Sequence, residues 1–133
     1  MTVRWNGKVV TAQVEAAVMR GLLTAATRVE NSASSSILSG NKTGIVYTRG
    51  GVAHQASAPG EPPASDTGTL ARSFNIIPNP GLLRVVVNNN AAYAAALEYG
   101  TRKMEPRPFL RPALARNIGL IEALVAREIK AVL

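Results

Sequence analysis

The sequence offers few side chains able to act on a substrate. His54 is the only histidine and there is no cysteine, so neither a thiolate site nor a usual zinc site can be built. His54 sits between Ala53 and Gln55 and reads as a strand or surface histidine. Asp66 lies in SDTG, a setting in which two aspartates can share a proton. The second aspartate would have to come from a symmetric partner, and the apolar surroundings such a dyad needs are missing. Asp66 is expected instead to cap a turn or the short helix that follows. The glycines of GNKTG and of Gly50-Gly51 lack the spacing that cradles phosphates. The remaining acids are dispersed, so a protein without catalytic residues, cofactor or metal is expected.

Binding groups are better represented than reactive ones. Arg102, Lys103, Arg107, Arg111 and Arg116 form the densest basic group, opposed locally by Glu105. It reads either as a patch facing nucleic acid or an acidic protein, or as long side chains solvating a proline turn. Phe109 is the one aromatic among them, too few for a series of stacked bases. Phe109 and Leu110 stand between Pro108 and Pro112, which fixes their presentation and lowers the cost of inserting them into a neighbour. The same pair could anchor the turn on this domain's own core, and the sequence leaves both open. Ala58–Gly68 carries Pro59, Pro62 and Pro63 with two glycines. It is an extended contact loop or a plain linker.

The elements that must position these groups fit one domain, since 133 residues is an ordinary domain length. The chain is 47% hydrophobic but 5% aromatic, so its core is built from small and branched aliphatic side chains. Such a core buries less apolar area per residue, and subunit association would make up the deficit. Fifteen Lys and Arg against eight Asp and Glu give a net charge of +7, which bears on association rather than fold. No apolar run approaches the roughly 18–20 residues of a membrane span. MTVRWNGKVV also lacks the apolar segment of a signal peptide, so a protein without a membrane partner is expected.

Val14, Val18, Leu22, Ala25, Val29 and Ala33 recur at helical spacing between Thr11 and Ile37, which predicts a long amphipathic helix. Ser32 to Ser36 weaken its end and Gly40 marks its limit, while Thr2–Val10 could form a short strand before it. Gly44–Ser57 reads as a hairpin about Gly50-Gly51. Thr69–Phe74 gives a helical turn. Phe74–Ile77 and Leu82–Val87 form a second hairpin across Pro78-Asn-Pro-Gly. Asn90 is placed to cap an Ala-rich helix stopped by Gly100. Met104–Pro112 is expected to be irregular. Leu114, Ile118, Ile121, Val125 and Ile129 then mark a second long helix, with Pro112 in its first turn. The sum is an α+β domain: a long N-terminal helix, a small antiparallel sheet of hairpins, a short Ala-rich helix and a long C-terminal helix.

The loop SAPGEPPASDTGTLARSF, followed by YAAALEYGTRKMEPRPFLRPAL, resembles the tail-component family of long-tailed phages, the gene-product-ten-like neck or tail-completion proteins. SGNKTGIVYTRGGVAHQAS is similar to the small-Gly-basic, Tyr and His-x-x-Ser elements upstream in that family. The resemblance covers roughly residues 38 to 116, the first helix agreeing in character only. Virion-morphogenesis proteins that finish contractile tails carry a similar Tyr-Ala, Gly and Arg-Pro-Phe-Leu series.

The resemblance implies a structural subunit of a homo-oligomeric ring, a hexamer rather than a dodecamer, in the virion neck or upper tail and assembled in the host cytoplasm. Its partners would be copies of itself, the tail terminator or tail tube protein, and the head-closure or connector proteins. Sequence-neutral contact with packaged DNA is left open. A tail terminator or a head-closure protein is the nearest alternative post, and a basic nucleic-acid-binding module is the alternative from another class. Tyr93, Glu98, Tyr99, Gly100 and Thr101 match the first motif. Arg107, Pro108, Phe109, Leu110, Arg111, Pro112 and Ala113 match the second. With Pro59, Pro62 and Pro63, the candidate contact residues are Tyr93, Glu98, Tyr99, Gly100, Thr101, Arg107, Phe109, Leu110 and Arg111.

Overall fold

The computed structural model describes residues 6–39, 42–65 and 68–133. The expected α+β architecture is present, in the order α1 (Gly7–Ser39), β1 (Val46–Arg49), β2 (Val52–Gln55), α2 (Thr69–Arg72), β3 (Phe74–Asn79), β4 (Arg84–Asn89), α3 (Ala94–Tyr99) and α4 (Leu110–Val132). The hairpins remain separate two-stranded sheets, β1 with β2 and β3 with β4, both antiparallel.

Helix α1 begins earlier than its pattern suggests and runs to Ser39. Gly7–Val10 are helical, so the strand expected over Thr2–Val10 is not formed there; residues 1–5, like Gly40 as the helix limit and Asp66 as a cap, lie outside the described residues. The helix runs through the serines, of which Ser34 donates to the Ala71 carbonyl outside it and two bond back onto it. Ser36 Oγ donates to the Ala33 carbonyl at 2.7 Å and Ser39 Oγ to the Ser35 carbonyl at 2.8 Å, which removes their competition with the backbone. Lys42 Nζ donates to the Ser36 carbonyl at 2.8 Å and satisfies one of the carbonyls that a helix end leaves without a partner. An 18-residue window of α1 reaches a mean hydropathy of 1.2. By length and composition this helix could cross a membrane, which amends the expectation that no such stretch exists; its buried face packs instead on α4.

The two long helices run antiparallel, since residues 20, 21 and 32 of α1 meet residues 128, 125 and 116 of α4. Small residues make the approach close. Ala17, Gly21, Ala25 and Ala26 are buried on α1, and a Cβ added at Gly21 would lie 2.8 Å from the Val125 Cα. Any side chain there would push the helices apart. The larger core residues gather at the far end of the pair, where Val29, Ala33 and Ile37 meet Leu70, Ala94, Phe109 and Ala113.

The hairpin turns follow from their residues. Gly50 and Gly51 both have positive φ, 59° and 79°, as a two-residue turn between twisted strands demands. In the second hairpin β3 runs on through Pro78, and Leu82, expected in the return strand, belongs to a 3-10 turn over Pro80–Leu82. Asn79 caps that turn by accepting from Leu82 N at 3.3 Å. Proline is tolerated in β3 because a two-stranded sheet consists of edges.

Candidate functional site

The motif residues from Leu97 to Leu114 form one corner, organised by Glu98. Helix α3 stops at Gly100, whose N–H donates to the Ala96 carbonyl and whose φ is 79°. A Cβ at Gly100 would meet Pro106 Cδ at 2.9 Å and the Met104 carbonyl at 3.0 Å, so both backbone and space call for glycine. The turn after it is closed by Thr101 N to Met104 O at 2.8 Å. The chain then returns, Arg107 N donating to the Leu97 carbonyl at 2.6 Å, and α4 starts at Leu110.

The residue at the start of α4, Phe109, supplies no side-chain cap. The cap comes from α3. Glu98 Oε2 accepts from Phe109 N at 2.8 Å and Leu110 N at 3.0 Å, and Oε1 accepts from Arg111 N at 2.8 Å. Three amide donors that a helix start leaves open are thus satisfied by one carboxylate, whose charge also suits the positive end of the helix dipole. Arg111 Nε reaches Oε1 at 3.3 Å, its Nη2 reaches the Glu98 carbonyl at 3.1 Å, and its guanidinium lies 4.8 Å from the Tyr99 ring centroid. Burial alone would raise the Glu98 carboxyl, which is 6% exposed. The three N–H groups and Arg111 outweigh burial and hold it below its ordinary value of 4.5.

Two candidate contact residues of this corner are therefore internal. Glu98 is occupied inside the corner. Phe109 is 1% exposed and meets the Phe74 ring edge-on, centroids 5.9 Å apart. The proline-bounded turn points Phe109 inward, so it anchors α4 to this chain's own core instead of presenting a knob to a neighbour. Leu110 is half-buried against that core, and Leu110–Pro112, expected to be irregular, already belong to α4. Tyr93, Tyr99, Thr101 and Arg111 are exposed and remain candidates for contact.

The Pro-rich loop is tied to the same corner. Gly60 N donates to the Pro106 carbonyl at 3.0 Å, and Arg107 Nε donates to the Ser57 carbonyl at 3.2 Å. Glu61 closes the loop by accepting from Ala58 N at 2.8 Å, Thr43 N at 2.9 Å and the Thr43 hydroxyl. These bonds hold its carboxyl below the usual range, the Ala58 amide contributing most. Pro59 is exposed, Pro62 half-buried and Pro63 buried. Between loop, first hairpin and corner lies an open cleft of about 650 Å³ lined by Tyr47, Ser57, Pro63, Tyr93, Leu97 and Arg107 among others.

His54 stacks on Tyr47 across β1 and β2, ring centroids 5.6 Å apart. Among the described residues no three His, Asp or Glu side chains are grouped to hold a metal ion. The capping role expected of Asn90 does not occur, because α3 begins at Ala94. The neighbouring Asn89 is the working side chain, its Oδ1 accepting from Ala91 N at 2.9 Å and its Nδ2 donating to the Leu70 carbonyl at 2.7 Å.

A second surface, an apolar groove of about 350 Å³, was not anticipated. It is lined by Leu22, Ala25, Ala26 and Val29 of α1, Val85 and Val87 of β4, and Leu110, Arg111, Leu114 and Ile121 of α4. Leu114 and Ile118, read from the sequence as core, are 48% and 50% exposed. The signal was present in α4, where Leu120 and Leu124 widen the apolar stripe beyond what one packed face uses. No protein-family model, no curated protein and no solved structure matches this chain.

Proposed function

We propose that the chain is a structural subunit of a tailed-phage neck or upper tail that works as a homo-oligomeric ring and completes the head-proximal end of the tail. The observation that carries this reading is the placement of large exposed apolar side chains. They occur in separate regions of one small chain, on the first hairpin (Ile45, Val46, Val52) and along α4 (Leu114, Ile118, Leu120). Patches of this kind mark association surfaces. Two different surfaces on one subunit allow heterologous contacts, which close into a ring where the rotation from copy to copy closes. The test is mass measurement by light scattering on the purified chain, alone and with tail tubes. A defined multimer, or incorporation into tails, is expected. A stable monomer that is absent from purified particles refutes the reading.

A basic nucleic-acid-binding module is the second reading, favoured by the turn that exposes Arg102 and Lys103 beside exposed Tyr99. Salt separates the two. Copies carrying +7 each repel, so raising salt from about 50 mM to about 500 mM strengthens an apolar self-association and weakens a phosphate contact.

A further inference from the structure

The cleft beside the corner and the turn that follows Gly100 adjoin through one residue. Met104 lines the cleft of about 650 Å³ and also a second hollow of about 380 Å³ bounded by Tyr99, Arg102 and Lys103. The bridge between Thr101 and Met104 makes Arg102 and Lys103 the tip of a tight turn, and both are exposed. Arg107, half-buried, lines the cleft three residues further on. Its Nε donates to the Ser57 carbonyl at 3.2 Å and its Nη1 approaches the Glu105 carbonyl at 3.5 Å. Both acceptors are neutral, so the guanidinium is oriented while its charge stays uncompensated. Among the described residues no carboxylate forms an ion pair with Arg102, Lys103 or Arg107, whereas Arg111 has Glu98. Between Thr101 and Arg107 three cations stand against one acid, Glu105.

The chain has three tyrosines, and all three lie along this cleft and turn. Tyr47 of β1 and Tyr93, just before α3, line the cleft, and Tyr99 ends α3 beside the basic turn. They are 39%, 46% and 66% exposed. His54 stacks on Tyr47 and the Arg111 guanidinium lies over Tyr99. Tyr93 has neither a ring nor a cation against it among the described residues. Phe109, the one aromatic within the basic stretch, is buried, but the fold brings Tyr47 and Tyr93 to the flank of that stretch. Cations for phosphates and rings for base faces are the two groups that sequence-neutral single-strand binding combines. An acidic peptide would occupy the cations without needing the rings. A duplex keeps its bases stacked inside, whereas a single strand can splay one out onto an aromatic side chain.

We propose that this surface binds single-stranded nucleic acid, with Arg102, Lys103 and Arg107 on phosphates and an unpaired base stacked on Tyr93 in the cleft. The proposal rests on the nucleic-acid reading above and does not depend on ring formation. Recognition is by charge and ring faces, so base sequence matters little. Three phosphates neutralised on a single strand give a slope of about −2 for log affinity against log salt, at roughly 0.7 per contact. Affinity therefore falls about 20-fold between about 50 mM and about 200 mM salt.

The test is fluorescence anisotropy of a labelled oligothymidylate of about 12 nucleotides, and of a duplex of the same length, titrated with the full chain. The single strand is expected to bind at least about tenfold more tightly than the duplex. Tyr93→Ala is expected to weaken single-strand binding at least about fivefold, while Tyr93→Phe, which keeps the ring face, stays within about twofold of the parent. Arg102→Gln and Lys103→Gln, at the exposed turn tip, are each expected to make the salt slope shallower by about 0.7. These two variants decide the matter even if circular dichroism shows that Tyr93→Ala has lost its helices. Equal or tighter duplex binding, a folded Tyr93→Ala that binds like the parent, or a slope unchanged in both cation variants overturns the proposed site and leaves the nucleic-acid reading standing. No binding of either probe at about 50 mM salt overturns both. Displacement of the oligothymidylate by poly-glutamate at equal charge concentration assigns the surface to an acidic protein partner and overturns the proposal as well.

Discussion

Replacing Glu98 with glutamine tests the corner most directly, because shape is kept and only charge and one acceptor are removed. In the native chain Oε2 takes two amide donors, from Phe109 and Leu110, and Oε1 takes the Arg111 amide and Nε. Glutamine keeps one oxygen, so whichever way the amide turns, two donors face an NH2 group. Hydrogen bonds to a charged group contribute about 1.5–3 kcal/mol each, and a lost helix cap costs about 1 kcal/mol. The Arg111 side chain is 60% exposed, so its ion pair adds little. These contributions overlap, and Glu98→Gln is expected to cost about 2–3 kcal/mol at neutral pH, a drop in Tm on the order of 10 °C. Urea unfolding under monomeric conditions measures it. The pH dependence supplies an independent check. The folded carboxyl lies below its ordinary value of 4.5, so its stabilisation is fully present above that value and is lost as pH falls through the lower folded one. The gap between parent and variant should therefore close in acid. Equal stability at pH 7, or a gap that persists unchanged at low pH, refutes the assignment of Glu98 as an ionised cap.

Two further substitutions probe how the helices are held. Phe109→Ala removes a nearly fully buried ring and is expected to cost about 3–5 kcal/mol by urea unfolding; a loss below about 1 kcal/mol would show that the ring does not anchor α4. Gly21→Ala places a methyl group against the Val125 backbone and is expected to cost about 1–3 kcal/mol, whereas an unchanged unfolding midpoint would show that the helices separate without strain.

What could be read from the residues depended on whether the cause was local. The Gly50-Gly51 turn and the Gly100 stop were legible because positive φ selects glycine at the position itself. Both long helices were legible from their apolar spacing. The Glu98 cap was not, because the usual capping signal sits at the helix start, where Phe109 has no acceptor, and the carboxylate arrives from the preceding helix. For the same reason Asn90 looked like a cap, although α3 starts four residues later. Phe109 and Leu110 between prolines were equally consistent with a knob and an anchor; the position of Phe74 across the core decided for the anchor. The groove escaped notice because helical spacing identifies an apolar face without saying whether this chain or another covers it.

The Glu98 cap also bears on the order in which the fold can assemble. Its donors lie 11 to 13 residues along the chain, whereas the Arg20–Glu128 pair joins residues 108 apart. Closing a loop of the first kind carries a small entropic cost and takes on the order of 100 ns, while long-range docking must wait for distant segments to meet. The corner can thus form before α1 and α4 find each other. The last helix then docks with its first turn already fixed in direction, and the search for the remaining contacts becomes a swing about one point.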